Sequence, residues 1–262
     1  MTLACLDGTV VPVAEAVVPA TDDGLLRGDG VFEVVRIYAN RPFALDAHLE
    51  RMDRSARCLR LPCDVEAVRA DIHVLLEAEQ PGDALVRAVV TRGGHRLALV
   101  EALPDLGASM SLGYVVYAPT RVLDQVKSLS YAANMQAGRL ARERGFDEAL
   151  LVTPHGRVLE APTASLFWVA EGRLHTPPLS DHLLDSITRR LVIETMDATE
   201  TVTTREDLQE ADEAFLASTV REVLAVARIE DHALPIDGPV TAEAARRVRA
   251  RIEAMLGQTI SG

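Results

Sequence analysis

Lys127 stands out as the one lysine of this chain, because its 262 residues hold 27 lysines and arginines and 26 of these are arginines. Arginine replaces lysine as a surface cation, but its guanidinium stays protonated and cannot act as an amine nucleophile. A neutral lysine amine can attack a carbonyl carbon and form a Schiff base. Codon drift in a GC-rich genome would also leave a single lysine by chance, so the neighbouring residues have to decide between these explanations.

Several polar side chains follow Lys127 along the chain. Tyr131 comes shortly after it, Glu160 ends the stretch RVLE, Ser186-Ile187-Thr188 begins a helical pattern, and Ser218-Thr219 separates two apolar runs. Taken singly, each favours an ordinary structural role: a half-buried helix residue, a strand end, a helix cap or a turn. Their common order along one chain is what points to chemistry.

Other kinds of site have little support. The three cysteines form no CxxC pair, and the seven histidines have no metal-ligand spacing, so we expect no metal. The glycines at 24, 28 and 30 match neither the dinucleotide fingerprint nor a P-loop. A net charge of −12 argues against nucleic-acid binding. No apolar run approaches the roughly 18 residues of a membrane span, and we expect a cytoplasmic protein.

The elements that would position these residues are mixed. In the first half, Asp46 is predicted to cap a helix that ends at Leu61-Pro62, and a second helix covers 64–79. In the second half, Ser128 or Ser130 would cap a helix that runs to Arg144. Apolar alternation predicts strands at 2–6, 8–13, 31–38, 84–91, 97–102, 110–117, 200–204, 213–218 and 222–228, and helical periodicity predicts helices at 187–196 and 240–257.

This pattern predicts a small N-terminal α+β domain over 1–118, an interdomain linker over 119–126 and a larger C-terminal domain over 127–262. With 48% apolar residues the chain can bury substantial cores.

Six sequence blocks that contain these residues, in the order in which they occur along the chain, resemble the class IV aminotransferases, fold type IV of the pyridoxal-phosphate enzymes. The resemblance covers nearly the whole chain and implies a two-domain fold of α+β and α/β character, like that of D-amino-acid aminotransferases. The blocks lie at 28–36, 43–62, 127–135, 148–169, 173–189 and 212–226.

The resemblance also implies roles for individual residues. Lys127 would form the Schiff base with pyridoxal 5'-phosphate, Glu160 would pair with the pyridine nitrogen, and Tyr131 would approach the phenolic oxygen. A carboxylate there raises the pKa of the ring nitrogen and keeps it protonated, as an electron sink requires. The phosphate would be held by Arg51, Ser186, Ile187, Thr188, Ser218 and Thr219, which offer a guanidinium, hydroxyls and a helix N-terminus.

Two positions depart from the family pattern. Ser186 stands where a glycine is usual, which limits how closely the backbone can approach a phosphate. Ser165 stands where an asparagine is usual. Neither change removes a group that the chemistry requires.

The reaction is less defined than the cofactor. Amino transfer between an amino acid or primary amine and a 2-oxo acid is the first hypothesis. Cleavage of 4-amino-4-deoxychorismate to 4-aminobenzoate and pyruvate is the alternative, and a non-catalytic dimeric binding module is a distant third. Phe32 replaces a tyrosine expected in the D-amino-acid enzymes, which weakens that assignment.

Four arginines are candidates for binding a substrate carboxylate beside Phe32. Arg96 is favoured, because the glycines at 93 and 94 predict a loop that could approach the cofactor. Surface ion pairing is the ordinary explanation for each. The candidates are Arg36, Arg87, Arg92 and Arg96. The family resemblance further implies a homodimer.

Overall fold

The chain forms two compact units in a computed structural model that describes residues 2–257. Among the described residues, the first unit contains 2–104, 125–131 and 253–257, and the second contains 105–124 and 132–252.

The first unit is built around an antiparallel sheet of six strands in the order β2-β1-β6-β5-β3-β4. Its strands are β1 (Leu3–Leu6), β2 (Thr9–Pro12), β3 (Gly30–Tyr38), β4 (Arg41–Pro42), β5 (Ala84–Thr91) and β6 (Arg96–Glu101), and its helices are α1 (Asp23–Arg27), α2 (Leu45–Cys58) and α3 (Val65–Glu79). Alternation along the strands gives the sheet an apolar face, on which α2 and α3 pack their own buried stripes. The core contains Val35, Met52 and Ile72, each fully buried.

The second unit contains a ten-stranded sheet ordered β12-β11-β10-β14-β15-β7-β8-β9-β13, with β16 paired to β15. Its strands are β7 (Ser109–Val116), β8 (Glu148–Val152), β9 (Arg157–Val158), β10 (Ser165–Ala170), β11 (Arg173–Thr176), β12 (Thr199–Glu200), β13 (Thr203–Thr204), β14 (Glu213–Ser218), β15 (Glu222–Ile229) and β16 (His232–Ala233). Its helices are α4 (Ala132–Glu143), α5 (Ile187–Met196), α6 (Arg205–Gln209) and α7 (Pro239–Leu256), of which residues 253–256 are grouped with the first unit.

Strands β8, β10 and β14 are buried almost throughout, because apolar clusters cover both faces of this sheet. Along β8, Leu150 packs into one cluster, while Ala149 and Leu151 pack against Ala137 and Ala141 of α4 on the other. A strand covered on both sides reads as a continuous apolar run. The mixed helix and strand content matches the predicted α+β class.

The compact units divide at other points than the predicted domains. Strand β7 precedes the predicted boundary at 118, yet it pairs in parallel with β15 and β8 of the second sheet. Segment Gln125–Tyr131, which carries Lys127, belongs to the first unit. Alternation predicts that β7 is a strand, but it cannot indicate a partner more than a hundred residues away.

Two predicted helix caps are wrong. Helix α2 begins after Ala44, which has a left-handed backbone, and Asp46 lies inside the first turn with its carboxylate on Arg69. Helix α4 begins at Ala132. The serines before it bond elsewhere, since Ser128 Oγ accepts from the Ser130 N–H and Ser130 Oγ donates to a carbonyl oxygen. A serine or aspartate near a helix start identifies the region but not the capping position.

Asp64 does cap α3, because its carboxylate accepts from the N–H groups of Glu66 and Ala67. We expect Asp64→Ala to lower the free energy of unfolding by about 1 kcal/mol. Asp46→Ala removes a surface carboxylate without a capping bond and should change it by less than about 0.5 kcal/mol. Urea unfolding of both variants measures the difference, and equal losses would contradict the assignment of the cap.

Candidate active site

The main chain of Lys127 is fixed from both sides within the first unit. Its carbonyl oxygen accepts from the Phe32 N–H at 3.1 Å, and two residues on, the Leu129 N–H donates to Gly30 at 2.9 Å. Its own N–H donates to Ser55 Oγ on α2 at 3.1 Å. Segment 127–129 therefore forms an isolated antiparallel β-bridge with the start of β3, and Ser55 of α2 bonds to its first residue.

Gly30 is required where this segment meets β3. A Cβ atom at this position would lie 2.5 Å from the Val90 carbonyl oxygen and 2.6 Å from Leu129 Cδ1. Both distances are shorter than a carbon atom tolerates. The absence of a side chain at Gly30 therefore lets β3 pass close to the β5 backbone and to Leu129.

The side chain of Lys127 lies over Phe32. Its Nζ is 4.3 Å from the centre of the Phe32 ring, and the Tyr131 ring meets the same ring edge-on with centres 5.4 Å apart. The Arg87 guanidinium carbon is 5.5 Å from that centre. Phe32 thus gathers an amine, a phenol and a guanidinium, and its quadrupole attracts both cations.

Arg51 belongs to a buried charge network with Glu33 and His48. Helical spacing puts His48, Arg51 and Ser55 on one face of α2, toward the sheet. Arg51 Nε and Nη2 donate to the two carboxylate oxygens of Glu33, each at 2.7 Å, and Glu33 is 1% exposed. Burial alone would raise the pKa of Glu33, but the charge of Arg51 and hydrogen bonds from Arg51 and His48 outweigh it and hold that pKa well below its usual range.

His48 completes the network as a neutral imidazole. Its Nδ1 is 2.8 Å from Glu33 Oε2, and a carboxylate that only accepts requires the hydrogen on Nδ1. Within the described residues, its Nε2 has no hydrogen-bond partner. Burial lowers the pKa of His48 and outweighs the opposing effect of Glu33, so the ring stays uncharged.

The remaining candidate arginines bond elsewhere in the first unit. Arg92 binds Asp29 at 2.9 Å, and Arg96 binds Asp71 of α3 at 2.8 Å. Arg96 is opposite Val90 in the sheet, whereas Phe32 is opposite Val89, so Arg96 and Phe32 lie on different faces. The guanidinium carbon of Arg36 is 5.0 Å from the centre of the Tyr38 ring. Among these arginines, Arg87 is the one placed over Phe32.

In the second unit, Glu160 is held by two donors. Ser165 Oγ lies 3.3 Å from its Oε2, and the Leu184 N–H donates to its Oε1 at 3.1 Å. Ser165 is 2% exposed. Burial, together with the negative charge of Glu160, raises the pKa of Tyr117. The serine that departs from the family pattern therefore supplies a hydroxyl that orients this carboxylate.

The other predicted residues of this unit lie close in the chain to residues that contact or pair beside Glu160. Ser165 at the start of β10 is next to Ala217, so the Ser218-Thr219 turn follows directly beside it. Leu184, which binds Glu160, is two residues before Ser186 at the start of α5. The ends of β10 and β14 thus carry the carboxylate and the turn hydroxyls, and the N-terminus of α5 follows the residue that binds the carboxylate.

Ser186 is the N-cap of α5. Its φ of −74° and ψ of 134° are ordinary extended values, and its Oγ accepts from the Arg189 N–H at 3.3 Å. Any residue adopts this backbone conformation, so a serine at position 186 causes no backbone strain. Ile187 and Thr188 are the first helical residues, whose N–H groups lie ahead of the helical hydrogen-bond ladder and suit an anion.

Three residues of the first unit escaped prediction from the sequence: Glu33, His48 and Ser55. For Glu33, a signal was present, because a carboxylate at a core-facing position of an apolar strand needs a cation. The α2 positions 48, 51 and 55 share a face, but so do many surface residues. Among the described residues, no histidine, cysteine or carboxylate group is arranged to hold a metal, and no helix is long and apolar enough to span a membrane.

Comparison with known proteins identifies relatives over almost the whole chain. Residues 30–229 match the family model of amino-transferase class IV. A putative branched-chain-amino-acid aminotransferase of Methanocaldococcus jannaschii is 34% identical over 250 residues, covering 86% of this chain and 87% of that protein. An aminodeoxychorismate lyase of Bacillus subtilis is 29% identical over 256 residues, covering 86% of each.

A solved structure shares the fold. The crystal structure of a branched-chain aminotransferase from Thermoproteus uzoniensis with norvaline superposes with a TM-score of 0.88 at 29% identity, covering 98% of this chain and 96% of that one.

The neutral state of His48 makes stability depend on pH. Unfolding returns its pKa from a lowered value to about 6.5, so below that pH the unfolded chain binds a proton that the folded chain does not. Stability should therefore fall as pH drops from about 7 toward 5, by at most about 1.4 kcal/mol per pH unit from this group. Unfolding free energies at several pH values, compared between wild type and His48→Asn, isolate the effect. Identical slopes in the two proteins would contradict it.

Proposed function

Because the chain belongs to the class IV aminotransferase family, we propose that it moves an amino group between an amino acid, or a primary amine, and a 2-oxo acid through Lys127. The cofactor of this family is pyridoxal 5'-phosphate, and the protein is an enzyme, not a binding module. The observation that carries the proposal is the placement of Lys127, with its main chain held on both sides and its amine over Phe32.

The predicted residues fit the cofactor chemically. Bound pyridoxal phosphate supplies a carbonyl carbon for an amine and a protonated ring that accepts electrons. Lys127 offers the amine, and Glu160, oriented by Ser165 and Leu184, offers the carboxylate that keeps a proton on a ring nitrogen. We assign Tyr131 to the phenolic oxygen of the cofactor, since the Tyr131 ring and the Lys127 amine both contact the Phe32 ring.

Lys127 has two tasks in this proposal. Its Nζ would supply the nucleophilic amine for the carbonyl carbon that the bound cofactor provides. The same Nζ, when it is not bonded to that carbon, would serve as the general base for the proton on the substrate's α-carbon. Ser55 and Phe32 hold the lysine main chain in place.

On the family resemblance, we assign the phosphate to a guanidinium, hydroxyls and backbone N–H groups. Arg51 offers a guanidinium that Glu33 orients through two hydrogen bonds, and His48 in turn bonds to Glu33. The start of α5, with Ser186, Ile187 and Thr188, and the Ser218-Thr219 turn offer N–H groups and hydroxyls.

We assign the substrate carboxylate to Arg87. It stands over the ring that also carries the Lys127 amine, and Glu101 holds it through two hydrogen bonds of 2.6 and 3.0 Å. A guanidinium fork matches a carboxylate in two parallel hydrogen bonds. Phe32 would then line the substrate beside the reacting carbon.

A lyase that forms 4-aminobenzoate and pyruvate from 4-amino-4-deoxychorismate is the second candidate. The similarity to the Bacillus subtilis lyase favours it, and both reactions need the same lysine and ring-nitrogen carboxylate. On the family resemblance we also propose a homodimer in the cytoplasm.

A donor screen tests the reaction. Incubated with its preferred donor alone, whether D-alanine, L-leucine or an R-amine, the wild type should lose its yellow absorption, and addition of 2-oxoglutarate should restore the absorption and form glutamate. Lys127→Arg keeps the charge but cannot bond to the carbonyl carbon, so the same mixtures should give no turnover. Near-normal activity of Lys127→Arg would disprove the role of Lys127. Formation of 4-aminobenzoate from aminodeoxychorismate, with no donor accepted, would favour the lyase.

The assignment of Arg87 is tested by a donor that lacks a carboxylate. Arg87→Met should raise KM for the amino-acid donor roughly tenfold to a hundredfold, as expected for a lost hydrogen bond to a charged group, and leave KM for a primary amine unchanged. Arg96→Lys serves as the control, because it keeps a cation beside buried Asp71, and it should alter neither KM. A rise confined to the Arg96 variant would move the role to Arg96.

A further inference from the structure

The hairpin turn between β14 and β15 has a defined geometry. Ser218 pairs with Glu222 across the hairpin and leaves a three-residue loop, residues 219–221. Glu222 has a φ of 55°, the left-handed conformation that closes a three-residue hairpin loop. Ser218 Oγ accepts from the Arg221 N–H at 3.2 Å, which ties the first residue of the turn to the last residue of the loop.

The Arg221 side chain crosses from this turn to a second one. Its Nη1 donates to Thr163 Oγ1 at 2.8 Å, and its Nη2 lies 3.3 Å from Glu148 Oε2 at the start of β8. Its side chain is 8% exposed. Thr163 is in the tight turn closed by Ala161 and Ala164, which directly follows Glu160. Arg221 therefore joins the turn that carries Ser218 and Thr219 to the turn that follows Glu160.

Strand pairing alone does not hold these turns together. The β10–β14 ladder begins at Ser165, opposite Ala217, and both turns extend beyond it. Other contacts hold each turn to its own side. Asn134 of α4 donates to the Pro162 carbonyl oxygen at 3.1 Å, and Arg249 of α7 binds Glu222 at 2.9 Å. The side chain of Arg221 connects the two turns through their polar groups.

We propose that Arg221 is a positioning residue that sets the distance between the Glu160 carboxylate and the Ser218-Thr219 turn. This rests on the proposed function, in which Glu160 holds the ring nitrogen and the turn binds the phosphate of one cofactor. A rigid molecule that bonds at both ends needs its two partners at a fixed separation. A planar guanidinium bonded to Thr163 and to buried Glu148 provides that rigidity, while a lysine ammonium at the end of a flexible stem does not.

The proposal predicts a loss specific to the phosphate. In Arg221→Met the two turns can shift apart, so a cofactor bonded to Glu160 loses the alignment of its phosphate with Ser218 and Thr219. Pyridoxal, which has no phosphate, can follow Glu160 alone. Binding of pyridoxal phosphate should therefore weaken roughly tenfold, which corresponds to about 1.4 kcal/mol, while binding of pyridoxal stays within about twofold.

Titration of the cofactor-free enzyme with each compound gives the two dissociation constants. The ratio to compare is the Kd of pyridoxal divided by the Kd of pyridoxal phosphate, which Arg221→Met should lower roughly tenfold. Arg144→Met is the matched control, since Arg144 binds Glu230 and the Tyr114 carbonyl oxygen at the far end of β15 and should leave the ratio unchanged. Arg221→Lys, which keeps the charge and tests for a folding defect in the methionine variant, should lower the ratio by an intermediate amount.

Three outcomes would overturn the proposal. An unchanged ratio in both Arg221 variants, with a wild type that prefers pyridoxal phosphate, would reject the role of Arg221 and leave the proposed function intact. An equal fall in Arg144→Met would show general loosening of the sheet. A wild type without preference for the phosphorylated compound would reject the phosphate assignment itself and this proposal with it.

Discussion

The buried pair of Glu33 and Arg51 is the interaction on which the first unit depends. Glu33 occupies a core-facing position of β3, where an unpaired carboxylate would be strongly destabilising. Arg51 satisfies it from α2, and the pair fixes that helix against the sheet at one register. The same helix presents Ser55 to the main chain of Lys127 four residues later. The ion pair that neutralises Glu33 therefore also fixes the helix that positions the main chain of Lys127.

The second unit has a different constraint, which is to place polar groups at the ends of interior strands in a sheet that is otherwise apolar. The antiparallel pairing of β10 with β14 brings Ser165 beside Ala217, and the two turns beyond these residues carry Glu160 and Ser218. Because the interior of the sheet is apolar on both faces, polar side chains concentrate where the strands end. Serines then act by local bonds: Ser165 orients Glu160, and Ser186 caps α5.

Much of the fold follows from period and composition. The strands at 31–38, 84–91 and 213–218 and the helices at 64–79 and 187–196 were predicted nearly to their ends, because apolar alternation and a 3.6-residue period are local properties. The order of the blocks identified the family and its cofactor. The failures were also local in origin: Asp46 and Ser128 are polar residues near helix starts, yet capping depends on the backbone angles of neighbouring residues.

The amino-acid sequence by itself determined the chemical groups: one amine that can react with a carbonyl, a glutamate after a strand, and hydroxyls at a helix start and a turn. Only the tertiary structure decided which arginine stands over Phe32, which residue neutralises Glu33, and which side chain joins two turns 58 residues apart. The physical reason is that such choices rest on strand register and on which face of a sheet a side chain occupies. A shift of one residue would reverse the face, and no local pattern around Arg87, Arg96 or Arg221 records that register.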